Sequence, residues 1–387
     1  MFITRTRGAV VAALATATMV TAAACGGGGT GAQQSGQGIA DTITLHAVND
    51  QTGPVAYAGV GASKGAELAI EQINEQGFLG KGVRLTMEQS DAAGEIDRAV
   101  SDMTKAMADD QVSAILGPTM GQQAAAVAPM VNQRKVPTVF TQSGSEGVVT
   151  GDYTFRATAP MESYYDSAMA WLESKKLTDL SMIYNATFPT FANLGKDVVP
   201  SEAKERGLSI GQTIEAQSTT QDFTGQAQQI ASAKPQAVVM LLTAPQSVTF
   251  LKQLRQAGYR GQVVGTSVQG SGNAKAAGAA ADGLVYPVDY SAAMENQSAR
   301  DFAAAFEKKY GAAPDTYAAE GFDAIWWIAR GITSSNDSSR QGIQQGMTKV
   351  AEKGFTGAMG DIDFDGNDMR VSGVMVRWQD GKESLVR

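Results

Sequence analysis

From Thr42 onward, short β-rich apolar runs alternate with stretches whose small and aliphatic residues recur every third or fourth position. Thr42–Asn49 (TITLHAVN) predicts a strand. After it, Ala66, Ala69, Ile70 and Ile73 fall at i, i+3, i+4 and i+7, one face of a helix over Ala62–Gln72 that Gly77 and Gly80 close. The alternation continues with a strand at Val83–Ser90, a helix carrying Ile96, Val100, Met103 and Met107, and a buried strand at Ala114–Leu116 stopped by Gly117-Pro118. A helix with Ala124, Val127, Ala128 and Val131 and a strand at Pro137–Phe140 complete the first run. A second run begins near Leu180. It predicts strands at Leu180–Tyr184, Leu208–Glu215, Ala237–Leu242 and Gln262–Thr266, with helices at Phe191–Arg206, Thr224–Ala233 and Pro245–Gln256 between them. Gly283–Pro287 then predicts a strand, Ser298–Tyr310 and Tyr317–Ile332 two helices, and Asp361–Phe364 with Val371–Gln379 a hairpin. Strands alternating with helices of this length imply parallel sheets covered on both faces. The fold class is therefore α/β, with two doubly wound parallel-sheet lobes.

Ahead of this body the pattern changes. Arg5 and Arg7 precede an uncharged stretch, Gly8–Ala24, rich in Ala, Val and Thr, and then Cys25, the single cysteine of the chain. Basic residues, an apolar run and small residues before a cleavage point make a secretory signal. A Cys at that point resembles a bacterial lipobox, with Ala22 where that pattern prefers Leu. Residues 1–24 are thus expected to be a signal peptide, Cys25 a lipidated N-terminus, and residues 25–41, rich in Gly, Ser and Gln, a tether. The apolar run is too short for a spanning helix. Removing Arg5 and Arg7 takes the formal charge from −8 to −10, which argues against nucleic acid and anionic membrane surfaces as partners. A composition of 43% hydrophobic and 18% charged residues is that of a globular chain. With Cys25 acylated, no thiol is left for a disulfide or a cysteine-based metal site.

Several segments together carry a resemblance. They are Thr52-Gly53-Pro54 after the first strand, Gly65 to Asn74 (GAELAIEQIN), Ile115-Leu116-Gly117-Pro118, Lys135-Val136-Pro137, Phe155 to Pro160 (FRATAP), Gly321-Phe322-Asp323-Ala324, and Gly360 to Gly366. In this order and spacing the chain resembles the leucine/isoleucine/valine-binding family of periplasmic binding proteins, the extracytoplasmic solute receptors of ABC importers. The resemblance implies two lobes joined by hinge crossovers (a type I periplasmic binding protein). Residues 42–158 with 288–356 would form one lobe, and 159–287 with 357–387 the other. A small solute would be held between them. The partners implied are an ABC permease and its ATPase subunits, with the receptor a monomer on the outer face of the cell membrane. The same fold feeding a signalling system is the alternative.

The family places its ligand against loops that follow strands. Carried onto this chain, those positions are Tyr57; Thr119, Met120, Gly121 and Gln122; and Ser143, Gly144 and Ser145. The second lobe would contribute Phe191, with Phe188 as an alternative, Thr243, Ala244, Ser267 and Gln269. The Ser267–Gln269 loop lacks the acid with which amino-acid binders pair the ligand's ammonium. Glu146, Asp289 and Glu320 are the alternatives, each reading as a solvated surface acid. Without that charge an α-amino group would be buried uncompensated. Amides, urea-like compounds, short carboxylates and aromatic acids therefore stand beside branched-chain amino acids as candidate solutes.

No catalytic residue, cofactor or metal is expected. Asp361–Gly366 resembles the front of an EF-hand loop, but Ser372 stands where the closing Glu belongs. His46, the only histidine, lies within a strand and cannot build a zinc site of the usual kind. Trp326-Trp327 reads as helix core.

Overall fold

The computed structural model describes residues 38–145, 147–270 and 272–386. The expected signal, Cys25 and most of the tether lie outside these residues, as does Glu146. The first lobe is built from β1 (Thr42–Asn49), α1 (Ala56–Gln76), β2 (Arg84–Asp91), α2 (Ile96–Ala108), β3 (Val112–Leu116), α3 (Gly121–Arg134), β4 (Thr138–Phe140) and β5 (Thr154–Arg156). The chain then crosses to the second lobe. That lobe comprises α4 (Met161–Ser174), β6 (Asp179–Asn185), α5 (Pro189–Asn193), α6 (Val199–Glu205), β7 (Ser209–Ala216), α7 (Thr224–Ala233), β8 (Ala237–Leu241), α8 (Ala244–Gln256), β9 (Gln262–Val264) and β10 (Val285–Val288). A return to the first lobe gives α9 (Gln297–Tyr310), α10 (Thr316–Ser335), α11 (Arg340–Ala351), β11 (Phe355–Gly357), β12 (Gly360–Asp365) and β13 (Asp368–Val371). The last crossover leads to β14 (Val374–Gln379) and β15 (Lys382–Leu385).

Two sheets result. One has the order β11-β12-β13-β5-β4-β3-β1-β2 and the other β15-β14-β10-β9-β8-β6-β7. The strands β1 to β5 pair in parallel, as do β6 to β10, and antiparallel hairpins extend one edge of each sheet. Each sheet buries both faces because its strands are apolar on both. Ile43 and Leu45 of β1 pack under α1 and α10, whereas Val48 packs with α2 and α3. In the second lobe, Met182 faces α4 and Ile183 faces α7 and α8.

The helix α1 packs along α10 at backbone contact. A Cβ on Gly65 would lie 1.8 Å from the Ala318 carbonyl oxygen, and one on Gly321 would lie 2.1 Å from that of Ala62. The buried Trp327 of α10 donates its indole N–H to the Met347 carbonyl at 3.0 Å, so the paired tryptophans do sit in helix core.

Three expectations need correction. The helix α1 starts at Ala56 rather than Ala62, which puts Tyr57 on its first turn instead of in a loop. The helix expected over Phe191–Arg206 is three joined pieces, α5, a π-helical turn at Leu194–Val198, and α6. Pro200 has no N–H to give to that ladder, and the wider turn precedes it. Finally, Asp361–Phe364 does not form a hairpin with the whole run Val371–Gln379, of which only Val371 pairs with it, opposite Ile362. The pairs are β12 with β13 through a turn at Gly366, and β14 with β15 through Asp380-Gly381, both at positive φ. Residues 355–371 therefore join the first lobe's sheet, where the sequence assigned 357–387 to the second lobe.

Candidate functional site: the interlobe cleft

The carboxyl ends of β1, β3 and β4 face those of β6, β8 and β9 across a cleft, the position where open parallel sheets take ligands. An inner cavity of about 70 Å³ opens there, contiguous with an outer mouth of about 650 Å³. The first lobe lines the inner cavity with Val55, Tyr57 and Ala58 of the β1–α1 connection, Thr119, Met120 and Gly121 after β3, Gln142 after β4, and Tyr317 of α10. The second lobe supplies Met161, Phe188, Thr190, Phe191, Thr243, Ser267 and Val268. Aromatic pairs stand on both walls. Tyr57 and Tyr317 have ring centroids 5.6 Å apart, and Phe188 and Phe191 are 5.1 Å apart. Burial pushes the Tyr57 and Tyr317 hydroxyls well above their ordinary range, so both remain neutral O–H groups. The lobes touch where Ser145 Oγ lies 2.5 Å from Thr190 Oγ1. The inner cavity has room for only a few waters, so a larger guest needs the lobes to part.

Buried polar residues fix the loops. Arg156 of β5 grips both carboxylate oxygens of Asp368 at 2.6 and 2.8 Å and donates to the Ser143 and Ser145 carbonyls at 3.0 and 2.8 Å. In the second lobe Asn185 accepts from the Phe188 N–H at 3.0 Å and donates to Gln246 at 2.8 Å, and Gln246 in turn donates to the Gln217 carbonyl. The wall that carries Phe188 is thereby locked to α8.

At the hinge, crossovers at residues 157–160, 289–296 and 372–373 run side by side. Thr158 Oγ1 is 3.0 Å from Asp289 Oδ2 and 3.1 Å from Glu320 Oε1, and the Ala159 N–H donates to Asp289 at 3.3 Å. Tyr164 of α4 stands beside Asp289, whose Oδ1 has no hydrogen-bond partner among the described residues. Asp289 is fully buried and Glu320 is 2% exposed, which corrects the reading of both as surface acids. Two carboxyls this close in a dry site cannot both ionise. Burial, and then the charge of Asp289, push Glu320 well above the usual carboxylate range, so Glu320 holds the proton. Burial raises Asp289 as well, against the donors that surround it.

The sequence profile of the periplasmic binding protein family matches residues 42–382. The chain belongs to that family. Among its relatives, Leu/Ile/Val-binding protein homolog 7 of Brucella abortus (strain 2308) is 24% identical over 359 residues, covering 86% of this chain and 88% of the relative. The leucine binding protein LivK of Thermotoga maritima superposes with a TM-score of 0.81 at 22% identity, over 89% of this chain and 98% of that one. A solute binding protein of an ABC transporter from R. palustris, solved in complex with benzoate, superposes with a TM-score of 0.79 at 17% identity, over 89% and 95% of the two chains. At these identities the structures establish a common fold.

Within this periplasmic binding protein fold, the residues singled out from sequence divide into two sets. Tyr57, Thr119, Met120, Gly121, Phe191, Thr243 and Ser267 line the inner cavity, and Gln122 lines the outer mouth. The others serve the scaffold. Ser143 is buried, with its hydroxyl facing the Pro118, Thr119 and Thr141 carbonyls. Gly144 packs against Met161. Ser145 makes the contact with Thr190 rather than facing the cavity. Ala244 is the buried first residue of α8. Gln269 accepts from the Thr266 N–H and donates to Ser247 Oγ at 2.9 Å. Sequence reasoning missed Val55, Ala58, Met161, Thr190, Val268 and Tyr317. It also missed Gln142, immediately ahead of Ser143, whose positive φ of 60° has no sequence signature in a non-glycine residue.

Proposed function

We propose that this chain is the extracytoplasmic solute-binding receptor of an ABC importer and that it captures a small molecule between its lobes. The observation that carries the reading is one cavity walled by both lobes at the carboxyl ends of their parallel strands. Family membership and a hinge of three chain crossovers support it. A guest that touches both walls binds the closed form better than the open one and shifts the population toward closure. Closure expels water from the guest's hydrogen bonds. The permease and its ATPase then read loaded from empty receptor by shape. Cys25 anchors the receptor to the outer face of the cell membrane, and one copy serves one transporter. Relatives whose names cite leucine, isoleucine and valine, and the R. palustris protein holding benzoate, set the range of candidate guests. Thermal unfolding of the purified protein against amino acids, amides, urea and aromatic acids is the test. A saturable rise in unfolding temperature with at least one class is expected. Flat curves across all of them would count against a receptor.

A further inference from the structure

We propose that the guest carries no ammonium group: it is a branched or aromatic hydrocarbon body bearing a carbonyl oxygen, as an amide or a carboxylate, which accepts a hydrogen bond from Gln142. The proposal rests on the receptor reading and narrows it.

The described residues that line the inner cavity and the outer mouth are all uncharged. Of the three acids suggested by sequence as counter-charges, Glu146 lies outside the described residues, and Asp289 and Glu320 line neither space but sit at the hinge against Thr158 and Ala159. A buried ammonium would have no carboxylate beside it to offset its desolvation, and the buried donor left without a partner, Gln142 Nε2, can serve a carbonyl or carboxylate oxygen but not an ammonium. Four aromatic rings together with Met120, Met161, Val55 and Val268 offer that space a largely apolar surface, which suits a hydrocarbon body.

Among the described residues that line the two spaces, one buried polar atom is left without a partner. Gln142 Nε2 is buried and has no partner within the protein. Its backbone sits at φ 60°, a region that costs a non-glycine residue free energy and persists where surrounding structure enforces it. Arg156 supplies that enforcement by clamping the carbonyls of Ser143 and Ser145 just beyond. A strained, clamped loop whose Gln142 lines the cavity and carries a buried N–H donor with no protein partner is arranged for an acceptor on a guest.

Matched skeletons test this by titration calorimetry on the intact protein. 4-Methylpentanoate and its amide are leucine without the ammonium, and 3-phenylpropanoate and its amide are phenylalanine without it. At least one member of these amine-free pairs is expected to bind roughly ten-fold or more tightly than its amino acid. The amide and acid arms distinguish the two carbonyl classes. Gln142→Glu keeps the shape and removes the donor, and should weaken the amine-free ligand about ten-fold or more. Gln142→Asn, a residue type that tolerates positive φ, withdraws the donor without adding charge and gives the same loss if the glutamate variant folds poorly. Leucine or phenylalanine binding more tightly than the matched acid and amide overturns the proposal and leaves the receptor reading standing. Unchanged affinity in a folded Gln142 variant overturns the role of Gln142. If none of these compounds binds, mass spectrometry of solute released from the purified protein decides. An amine-free carbonyl compound supports the proposal, an amine refutes it, and no solute at all removes the receptor reading and the proposal with it.

Discussion

The hinge carboxyls make a sharp prediction about Glu320→Gln. In the folded protein Glu320 keeps its proton because burial and the neighbouring Asp289 oppose ionisation, whereas the unfolded chain releases it near the ordinary value of 4.5. The folded state therefore binds more protons wherever the pH lies above 4.5 and below the raised folded value. Stability falls as pH rises through that window. One proton corresponds to about 1.4 kcal/mol of unfolding free energy per pH unit. Asp289, also raised by burial, acts in the same direction. Glutamine fills the same space, offers Asp289 an amide donor and does not titrate. The unfolding free energy of the variant minus that of the wild type should thus rise by about 1.4 kcal/mol on going from about pH 5 to about pH 6. Urea unfolding at each pH measures it, provided the slopes with urea match. Titrating groups that do not touch this pair cancel in the difference. A constant offset between the two proteins would refute a shared proton at the hinge.

Gly321→Ala should destabilise by about 1–3 kcal/mol in the same assay, because the new methyl meets the Ala62 carbonyl oxygen and overpacking outweighs the helical preference for alanine. Asp323, which burial pushes up to about 7, accepts from the Ala358 and Met359 N–H groups at 2.7 and 2.9 Å. Asp323→Asn turns an amide toward one of those donors and should cost about 1–3 kcal/mol of unfolding free energy. Arg156→Lys loses the two-pronged grip on Asp368 and the clamp on the Ser143–Ser145 loop. Solute affinity measured by calorimetry should fall about ten-fold while the far-ultraviolet spectrum is retained. Cys25→Ser should move the protein from the membrane fraction to the soluble fraction on cell fractionation, whereas continued membrane retention would argue against the anchor.

Much of the fold was legible because its signals are local. The alternation of apolar runs placed β1 and α7 at their bounds and β2, β3, β4, β6 and β7 within two residues, whereas it gave no sign of α4 or α11. What escaped depended on partners far away in the chain. The strand β5 is only Thr154–Arg156 and exists because β4 and β13 flank it. The two terminal hairpins looked like one, although Asp380-Gly381 is itself a strong two-residue turn signal that would have separated them. In the site, residues after strands were found because parallel sheets put ligands there. Whether each side chain faces the cavity was not legible, since loops such as 141–145 have no period. Gln142 lines the cavity and Ser143 faces the scaffold for reasons of backbone φ and the Arg156 clamp. The buried acids misled most. Asp289 and Glu320 are charged types on amphipathic stretches, and only the meeting of hinge and α10 reveals them as a pair.

The most direct test of the account is small-angle scattering of the purified protein, free and saturated with the solute that calorimetry or mass spectrometry identifies. Two lobes that close on a guest predict a smaller radius of gyration in the saturated protein. Equal radii with the solute bound would contradict closure of the cleft as the event this receptor reports.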